Sequence, residues 1–445
     1  MDTDNIPTRD DQTDPSPTLH RAVGLPLLVL YGLGITIGAG IYVLIGVAAQ
    51  EAGQYAPFAF LFAAFVMGFS ALSFAELSGR IPQSAGEAVY VDAGFGWNWL
   101  TLITGLLIIF SATIAGAAIG LGSAGYMATI VPLPQTVIVA IIILLMGAVA
   151  SMEVKNSVMF AGILTVVEIL GLGAIVVAGF ANDPAILKQL PTSIPSLTDT
   201  AAFIGVLNAS LIAFFAFIGF DDVVNLVEET HNPKRTMPLA IIISLIAVTV
   251  IYFLVVFVAV QSVPIERLSQ STAPIGVLFE ELTGLSPLGI TLIAIVATIN
   301  GVVIEIIMAS RVVYGLAKKG RLPKSLAKVN AHTRVPLNAT LVITAVMLVA
   351  AVFVPLNDLV EWTSLIILFV FTLVNASLII IKLRGDLPPK DIFTVPLIFH
   401  MLVPAFRALD IGLINGHLFN SFPVFARKHR GVYLRHLIDL VFGDA

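Results

Sequence analysis

The chain has 445 residues, of which 58% are hydrophobic, 11% are charged and none is cysteine, and its formal net charge is −5. Soluble domains carry about a quarter charged residues, so this composition predicts a membrane protein. The absence of cysteine excludes disulfides and thiolate chemistry. The basic residues are scattered and form no patch that would bind nucleic acid. Residues 1–21 are polar and lack the apolar core of a signal peptide, which predicts a disordered cytoplasmic tail.

Ten apolar stretches are long enough to cross a bilayer, which takes roughly twenty helical residues. They predict spanning helices near 24–50, 57–79, 96–131, 134–152, 157–180, 200–227, 237–262, 285–316, 336–355 and 358–381. Basic residues concentrate in alternate loops, and the opposite set holds only Lys188 and Arg267. Because basic loops stay inside, the N-terminus is predicted to be cytoplasmic. Residues 385–445 form an atypical segment in which an eleventh span stays open.

The first span is unusually rich in glycine. Tyr31–Tyr42 holds four glycines within nine residues. A helix in lipid must satisfy its own backbone hydrogen bonds, so such a run weakens it. Close helix packing through small residues is the alternative explanation.

The sixth span favours a break. Gly219 is followed by Asp221 and Asp222 within an apolar run, and acidic groups facing lipid cost several kcal/mol. Asp221 can cap a new half-helix or contact a substrate directly. Spans one and six open two five-helix halves, 22–180 and 200–384, with opposite orientations. Paired interrupted helices of such an inverted repeat mark a binding site.

The chemistry of two broken helices suits a zwitterion. Amides that begin a half-helix attract anions, and carbonyls that end one attract cations. The predicted contacts to a carboxylate are the amides near Gly38, Ala39, Gly40 and Ile41. The predicted contacts to an ammonium are the carbonyls near Thr36, Ile37, Phe215, Ala216 and Ile218. An α-amino acid therefore fits without a dedicated charged side chain.

Glu168 is the main candidate for ion coupling. It shares a helix face with Ala161, Thr165 and Gly171, a small polar stripe suited to the bundle interior. A buried carboxyl prefers to be protonated near neutral pH, so Glu168 can carry a proton. A sodium ligand and a structural pair with Arg311 are the alternatives.

Other charges have candidate structural or gating roles. Glu305 faces a small-residue stripe and can contact a cationic substrate side chain or a polar neighbour. Near the predicted cytoplasmic ends, gate pairs or a solvated rim can form among Glu76, Glu228, Glu229, Arg21, Arg80 and Arg235. No histidine lies in the ten predicted spans, so we expect no metal site.

Four motifs in order resemble one transporter family. They are Ile37–Tyr42, Ala71–Pro82, Phe214–Glu229 and Ser310–Tyr314. Together they resemble the amino acid–polyamine–organocation superfamily, and within it bacterial permeases related to the cationic amino acid transporters, over roughly Arg21 to Pro396. The resemblance implies a leucine-transporter-like five-plus-five fold, alternating access, and an occluding aromatic residue at Phe217 or Phe215. Simple packing is the other role for these rings.

Two departures from the family pattern stand out. Many relatives have a lysine in a Thr-x-x-Lys pattern where this chain has Thr165-Val-Val-Glu168. Relatives also continue to twelve or more spans, whereas the expected pattern is lost here after about Leu397. We expect a truncated or altered C-terminus.

The sequence therefore predicts a secondary amino acid transporter of the cytoplasmic membrane, not an enzyme. It is proton-coupled or an exchanger, with sodium also open, and it needs no other cofactor. No phosphate-binding loop is present, so ATP is not the driver. A channel and a transport-inactive receptor or scaffold are the alternatives. The acidic groups favour cationic or small neutral substrates, and the oligomeric state is not predicted.

Overall fold

Helices dominate the chain. The computed structural model describes residues 21–396 apart from 84, 129, 197, 198, 272 and 390. Its α-helices are α1 Leu25–Ala52, α2 Ala56–Arg80, α3 Gly86–Phe95, α4 Asn98–Ala128, α5 Gln135–Ala150, α6 Val154–Asn182, α7 Thr200–Ala216, α8 Pro233–Ser262, α9 Ile265–Gln270, α10 Pro274–Thr283, α11 Leu288–Lys318, α12 Leu337–Phe353 and α13 Leu356–Leu383. Four 3₁₀ segments are Gly53–Tyr55, Ile186–Ser193, Phe220–Glu229 and Lys324–Ala327.

All ten predicted spans coincide with helices. In the described part of the chain, seven helices are long and apolar enough to cross a membrane, and the shorter apolar helices α5, α7 and α12 occupy the other three predicted positions. The short helices α3, α9 and α10 lie between spans and were not predicted. The all-α polytopic fold is thereby confirmed.

The sequence explains where these helices begin and which faces they expose. Pro26 and Pro233 lie in the first turns of α1 and α8, where a missing N–H costs nothing. Large apolar side chains such as Leu170, Val177 and Phe353 are exposed on the outside of the bundle. In a bilayer these side chains face lipid, so their exposure carries no penalty.

The first helix occupies the centre of the bundle. α1 packs against α6, α7, α8 and α11, while α2 packs against α8 and α4 packs against α11 and α13. Tyr31, Ile37, Ile41 and Tyr42 of α1 are fully buried. Any irregularity in α1 is therefore enclosed by protein, where a membrane protein can tolerate non-helical backbone.

One end of the bundle gathers the basic residues. The N–H of Ala22 donates to the carbonyl oxygen of Glu229 at 2.9 Å, which joins the start of α1 to the start of α8. Arg80 at the end of α2 donates to the carbonyl oxygen of Asp386 beyond α13 at 3.0 Å. Lys318 at the end of α11 pairs with Glu228 at 2.9 Å. We call this the basic end.

The sixth span differs from its prediction. The sequence predicts an α-helix for its second part, but Phe220–Glu229 is a 3₁₀ segment. Its tighter turn follows from short-range bonds such as that from the N–H of Asp222 to the carbonyl oxygen of Gly219 at 3.1 Å. The division into repeats at 22–180 and 200–384 stays a prediction. Predictions for the N-terminal tail and for residues 397–445 lie outside the described residues.

Candidate functional site

The first helix is interrupted at Gly38. Gly38 has φ −17° and ψ −141°, outside the helical range, and helix continues on both sides of it. The interruption is thus a kink at one residue rather than a long unwound stretch. It falls in the glycine-rich run where the sequence predicts a break.

The second interruption follows α7. Gly219 has φ +118°, a left-handed value that favours glycine, and an added Cβ would lie 2.9 Å from Cγ1 of Ile35. Oδ1 of Asp221 accepts the N–H of Gly219 at 3.1 Å. Asp221 therefore satisfies a backbone donor at the break, although the N-cap position itself is Gly219, which has no side-chain cap. Direct contact of Asp221 with a substrate stays a prediction.

The two interruptions lie against each other. A Cβ added to Gly40 would lie 2.8 Å from Cα of Ala216, so the backbones of α1 and α7 meet where each helix is broken. Gly219 likewise abuts Ile35 of α1. The structure thereby brings together the predicted positions 36–41 and 215–219. Their assignment to substrate stays a prediction.

A tyrosine that the sequence did not predict bridges two carbonyls at the interruptions. The Oη of Tyr252, from α8, lies 2.6 Å from the carbonyl oxygen of Thr36 and 3.0 Å from that of Ala216. These are two of the carbonyls predicted to receive a substrate ammonium. The available signal was a hydroxyl in the middle of an apolar span, since such a group must find an acceptor.

The candidate occluding ring lies in an aromatic cluster. Phe217 is fully buried, with its ring centroid 5.2 Å from Tyr252 and 6.5 Å from Phe60. Phe60 and Tyr252 meet edge to face at 5.7 Å. Phe217 thus caps the side of the interruption that Tyr252 bridges. The side chain of the other candidate, Phe215, lies outside the described part, as does that of Ala39.

Glu168 lies in the bundle interior, as its stripe predicts. It is fully buried, and its Oε1 accepts the Nδ2 of Asn300 at 2.9 Å, while Asn300 also donates to the hydroxyl of Thr165 at 3.0 Å. The other oxygen, Oε2, has no hydrogen-bond partner among the described residues. A Cβ added to Gly34 would meet Thr165 and Asn300, so this group touches α1 close to its break.

A structural pair of Glu168 with Arg311, one of the alternatives for Glu168, does not form, because Arg311 has another partner. Arg311 is fully buried and donates from Nη2 and Nε to the carboxylate of Glu229 at 3.1 and 3.3 Å. Burial without such a partner would leave a guanidinium uncompensated. Arg311 therefore fastens α11 to the 3₁₀ segment rather than to α6.

Other acidic residues at the basic end also form ion pairs. Glu228 pairs with Lys318 at 2.9 Å. Glu76 does pair with Arg80, at 2.8 Å, and also binds Lys382 at 2.7 Å and the N–H of Val395 at 2.7 Å. Glu76 thereby holds the segment after α13 against α2.

Among the described residues, Glu305 does not form the hydrogen bond to a polar neighbour that was one of its two predicted roles. It is 7% exposed, and its Oε2 has no hydrogen-bond partner in the described part of the chain. It lies within electrostatic range of Asp221 and Asp222 rather than beside a cation. In the described residues no group of three or more histidine or acidic side chains is arranged to hold a metal ion.

Two interrupted helices that meet inside an all-helical membrane bundle define a polytopic membrane protein of the kind that includes secondary transporters. A comparison of the sequence identifies the family. Residues 25–419 match the amino acid permease family, and the chain belongs to it. The match runs past Pro396, so the family pattern extends further than the motifs alone predicted.

Named relatives support this membership. The chain is 32% identical over 402 residues to the Arabidopsis thaliana cationic amino acid transporter 3, mitochondrial, covering 84% of this chain and 64% of that protein. It is 28% identical over 405 residues to the branched-chain amino acid permease BcaP of Bacillus subtilis, covering 84% of each. It is 30% identical over 440 residues to BcaP of Lactococcus lactis, covering 92% and 91%. The chain spans less than two thirds of the plant relative, and these relatives are transporters and permeases rather than enzymes.

Proposed function

We propose that this protein is a secondary active transporter of α-amino acids in the cytoplasmic membrane, working by alternating access. The observation that carries the proposal is the meeting of the two interruptions at Gly40 and Ala216, with the carbonyls of Thr36 and Ala216 directed at one hydroxyl. A substrate ammonium has three donors and can replace that hydroxyl on both carbonyls. The α-carboxylate binds the amides that follow Gly38.

The relatives bear on the substrate. They are named for cationic and for branched-chain amino acids, which share only the α-amino and α-carboxyl groups. A site built from backbone groups recognises those shared groups. The side-chain class is decided by the surrounding walls, and we propose cationic or small neutral amino acids.

We propose that Glu168 couples transport to protons. An ionised carboxylate is costly in a protein interior unless a cation or several donors compensate it. Glu168 has one donor, Asn300, and an oxygen without a partner, so binding a proton removes the uncompensated charge. Asn300 and Thr165 touch α1 at Gly34. Protonation of Glu168 can therefore change the contacts of α1 close to its interruption. Sodium as the coupling ion and simple exchange are the competing modes.

Transport by the purified protein in liposomes tests the function. Saturable counterflow of a labelled amino acid, with competition by a panel of unlabelled ones, is expected. Flux without saturation or counterflow would indicate a channel, and binding without flux a receptor or scaffold.

The coupling ion is tested separately. With an inward proton gradient, Glu168→Gln abolishes accumulation but preserves exchange, while the exposed Glu266→Gln behaves as wild type. Unchanged accumulation by Glu168→Gln, or accumulation driven by a sodium gradient alone, contradicts proton coupling through Glu168.

A further inference from the structure

A second group of buried carboxyls lies on the basic-end side of the interruptions and plays no part in the proposed coupling. We call it the acidic cluster; its members are Glu87 of α3, Asp221 and Asp222 of the 3₁₀ segment, and Glu305 of α11. Their exposure ranges from 1% to 7%. Asp222 is within electrostatic range of the other three.

The charges around the acidic cluster do not balance. Among the described residues, no lysine, arginine or histidine lies within salt-bridge distance of any of the four carboxyls. The buried cation Arg311 is paired with Glu229. The remaining titratable groups facing the cluster are the phenols of Tyr31 and Tyr90, which are neutral at physiological pH. Four ionised carboxylates would leave an uncompensated charge in a low-dielectric interior, which is not sustainable.

Hydrogen bonds separate the four members into two kinds. Asp221 accepts the N–H of Gly219, and Glu87 accepts the Nδ2 of Asn225 at 3.4 Å. Asn225 in turn accepts the N–H of Gly86 at 3.2 Å, which docks the start of α3 on the 3₁₀ segment. Asp221 and Glu87 therefore each have at least one hydrogen-bond donor.

Asp222 and Glu305 lack such donors. No hydrogen bond to either side chain is present in the described part of the chain, and Oε2 of Glu305 is fully buried without a partner. The hydroxyl of Tyr90, in range of Glu87, is likewise buried without a partner. A ligand that neutralises one carboxyl at a time fits these two residues, whereas a metal ion would need several oxygens to converge, and the described side chains form no such group.

We propose that Asp222 and Glu305 form a proton-binding site, distinct from Glu168, that is occupied while the basic end is packed shut. Opening of the basic end hydrates both groups, and water stabilises their ionised forms, so that the protons leave on that side. Conversely, a high proton concentration at the basic end favours the packed form. The site follows from burial and charge, and it stands whether or not Glu168 couples transport.

The edge of the cluster behaves consistently. Glu87 lies in α3, between spans, and burial, with a smaller effect of Asp221, raises the pKa of Glu87 to about 8. The folded protein therefore holds a proton on Glu87 that the unfolded chain releases at lower pH. Its contribution to stability is present at acidic pH and is lost as pH rises towards about 8.

Infrared spectroscopy of the full-length protein tests the proposal without a transport assay. Protonated carboxyls have a C=O stretching band separate from carboxylate bands. In membranes near neutral pH, Asp222→Asn and Glu305→Gln are each expected to reduce that band by the area of one carboxyl. The exposed Glu280→Gln leaves it unchanged. Glu168→Gln, measured in parallel, removes its own share, so the two sites are scored independently.

An unchanged protonated-carboxyl band in both Asp222→Asn and Glu305→Gln overturns the proposal, because it means that both groups are ionised. Thermal unfolding gives a second measurement if a variant expresses poorly in membranes. Wild-type stability is expected to fall as pH rises above the ordinary carboxyl pKa of about 4.3, and Glu305→Gln to flatten that fall. A fall of equal size in Glu305→Gln and wild type also counts against the site.

Discussion

At the scale of single residues, one hydroxyl occupies the position that a substrate ammonium is proposed to take. The Oη of Tyr252 has one hydrogen, so it can donate fully to only one of the carbonyls of Thr36 and Ala216. An ammonium can satisfy both. A substrate bound as proposed would therefore satisfy the two carbonyls better than the hydroxyl does. Tyr252 also links α8 to both interrupted helices.

Removing this hydroxyl has a defined consequence. We expect Tyr252→Phe to lower the stability of the substrate-free protein by about 1–3 kcal/mol, because two buried carbonyls lose their donor. Added substrate should then raise the melting temperature of the variant more than that of wild type. Thermal unfolding in detergent, with and without the transported amino acid, measures both effects.

Tyr42→Phe is the matched control for Tyr252. Tyr42 is also fully buried, but its hydroxyl has no partner in the described residues, so its removal should cost little. Equal losses in Tyr42→Phe and Tyr252→Phe would show that the bridge to Thr36 and Ala216 contributes nothing.

At the scale of helices, the site depends on how closely α1 approaches α7. Gly40 lies against the backbone of Ala216, and backbone cannot rotate away as a long side chain can. Gly40→Ala must push the helices apart, because its new Cβ would lie 2.8 Å from Cα of Ala216. We expect a cost of about 1–3 kcal/mol and a large loss of transport.

Gly173→Ala controls for the added methyl group. Gly173 lies on an open face of α6, with nothing within 4 Å of an added Cβ. Uptake by this variant in liposomes should match wild type. Full uptake by Gly40→Ala would mean that close approach of the interrupted helices is not needed for function.

The 3₁₀ segment is fixed to α11 by the buried pair of Glu229 and Arg311. Arg311→Met leaves the Glu229 carboxylate unpaired, and we expect a loss of about 3–5 kcal/mol. Adding Glu229→Gln should recover part of that loss. The exposed pair of Arg267 and Glu281 offers a comparison, since Arg267→Ala should cost less than about 1 kcal/mol.

A double-mutant cycle in chemical or thermal unfolding separates these terms for Glu229 and Arg311. The expectation fails if Arg311→Met and Arg267→Ala are destabilised equally.

The two interruptions could be predicted from sequence because their causes are local. Gly38 and Gly219 weaken the helix where they stand, and Asp221 needs a nearby donor. The ion pairs could not be predicted in this way, because Arg311 and Glu229 come from different spans and meet only when α11 packs beside the 3₁₀ segment. The hydrogen bonds of Tyr252 could not be predicted for the same reason, since its acceptors belong to α1 and α7.

At the scale of the whole molecule, hydropathy and charge predicted the fold well. Ten apolar stretches of spanning length give ten helices, because a bilayer requires backbone hydrogen bonds to be satisfied within each span. The short helices α3, α9 and α10 were missed, since segments between spans are under no such constraint. The predicted orientation of the bundle in the membrane rests only on the distribution of basic residues.

The orientation can be tested because the chain contains no cysteine. Basic loops resist translocation, so the basic end is expected inside and the opposite end outside. Lys188→Cys and Lys328→Cys introduce single thiols at exposed positions on the opposite and basic ends. A membrane-impermeant maleimide should label Lys188→Cys in intact cells and Lys328→Cys only after permeabilisation. The reverse pattern would place the acidic cluster and the Glu229–Arg311 pair at the outer face, and proton release from Asp222 and Glu305 would then occur outside the cell.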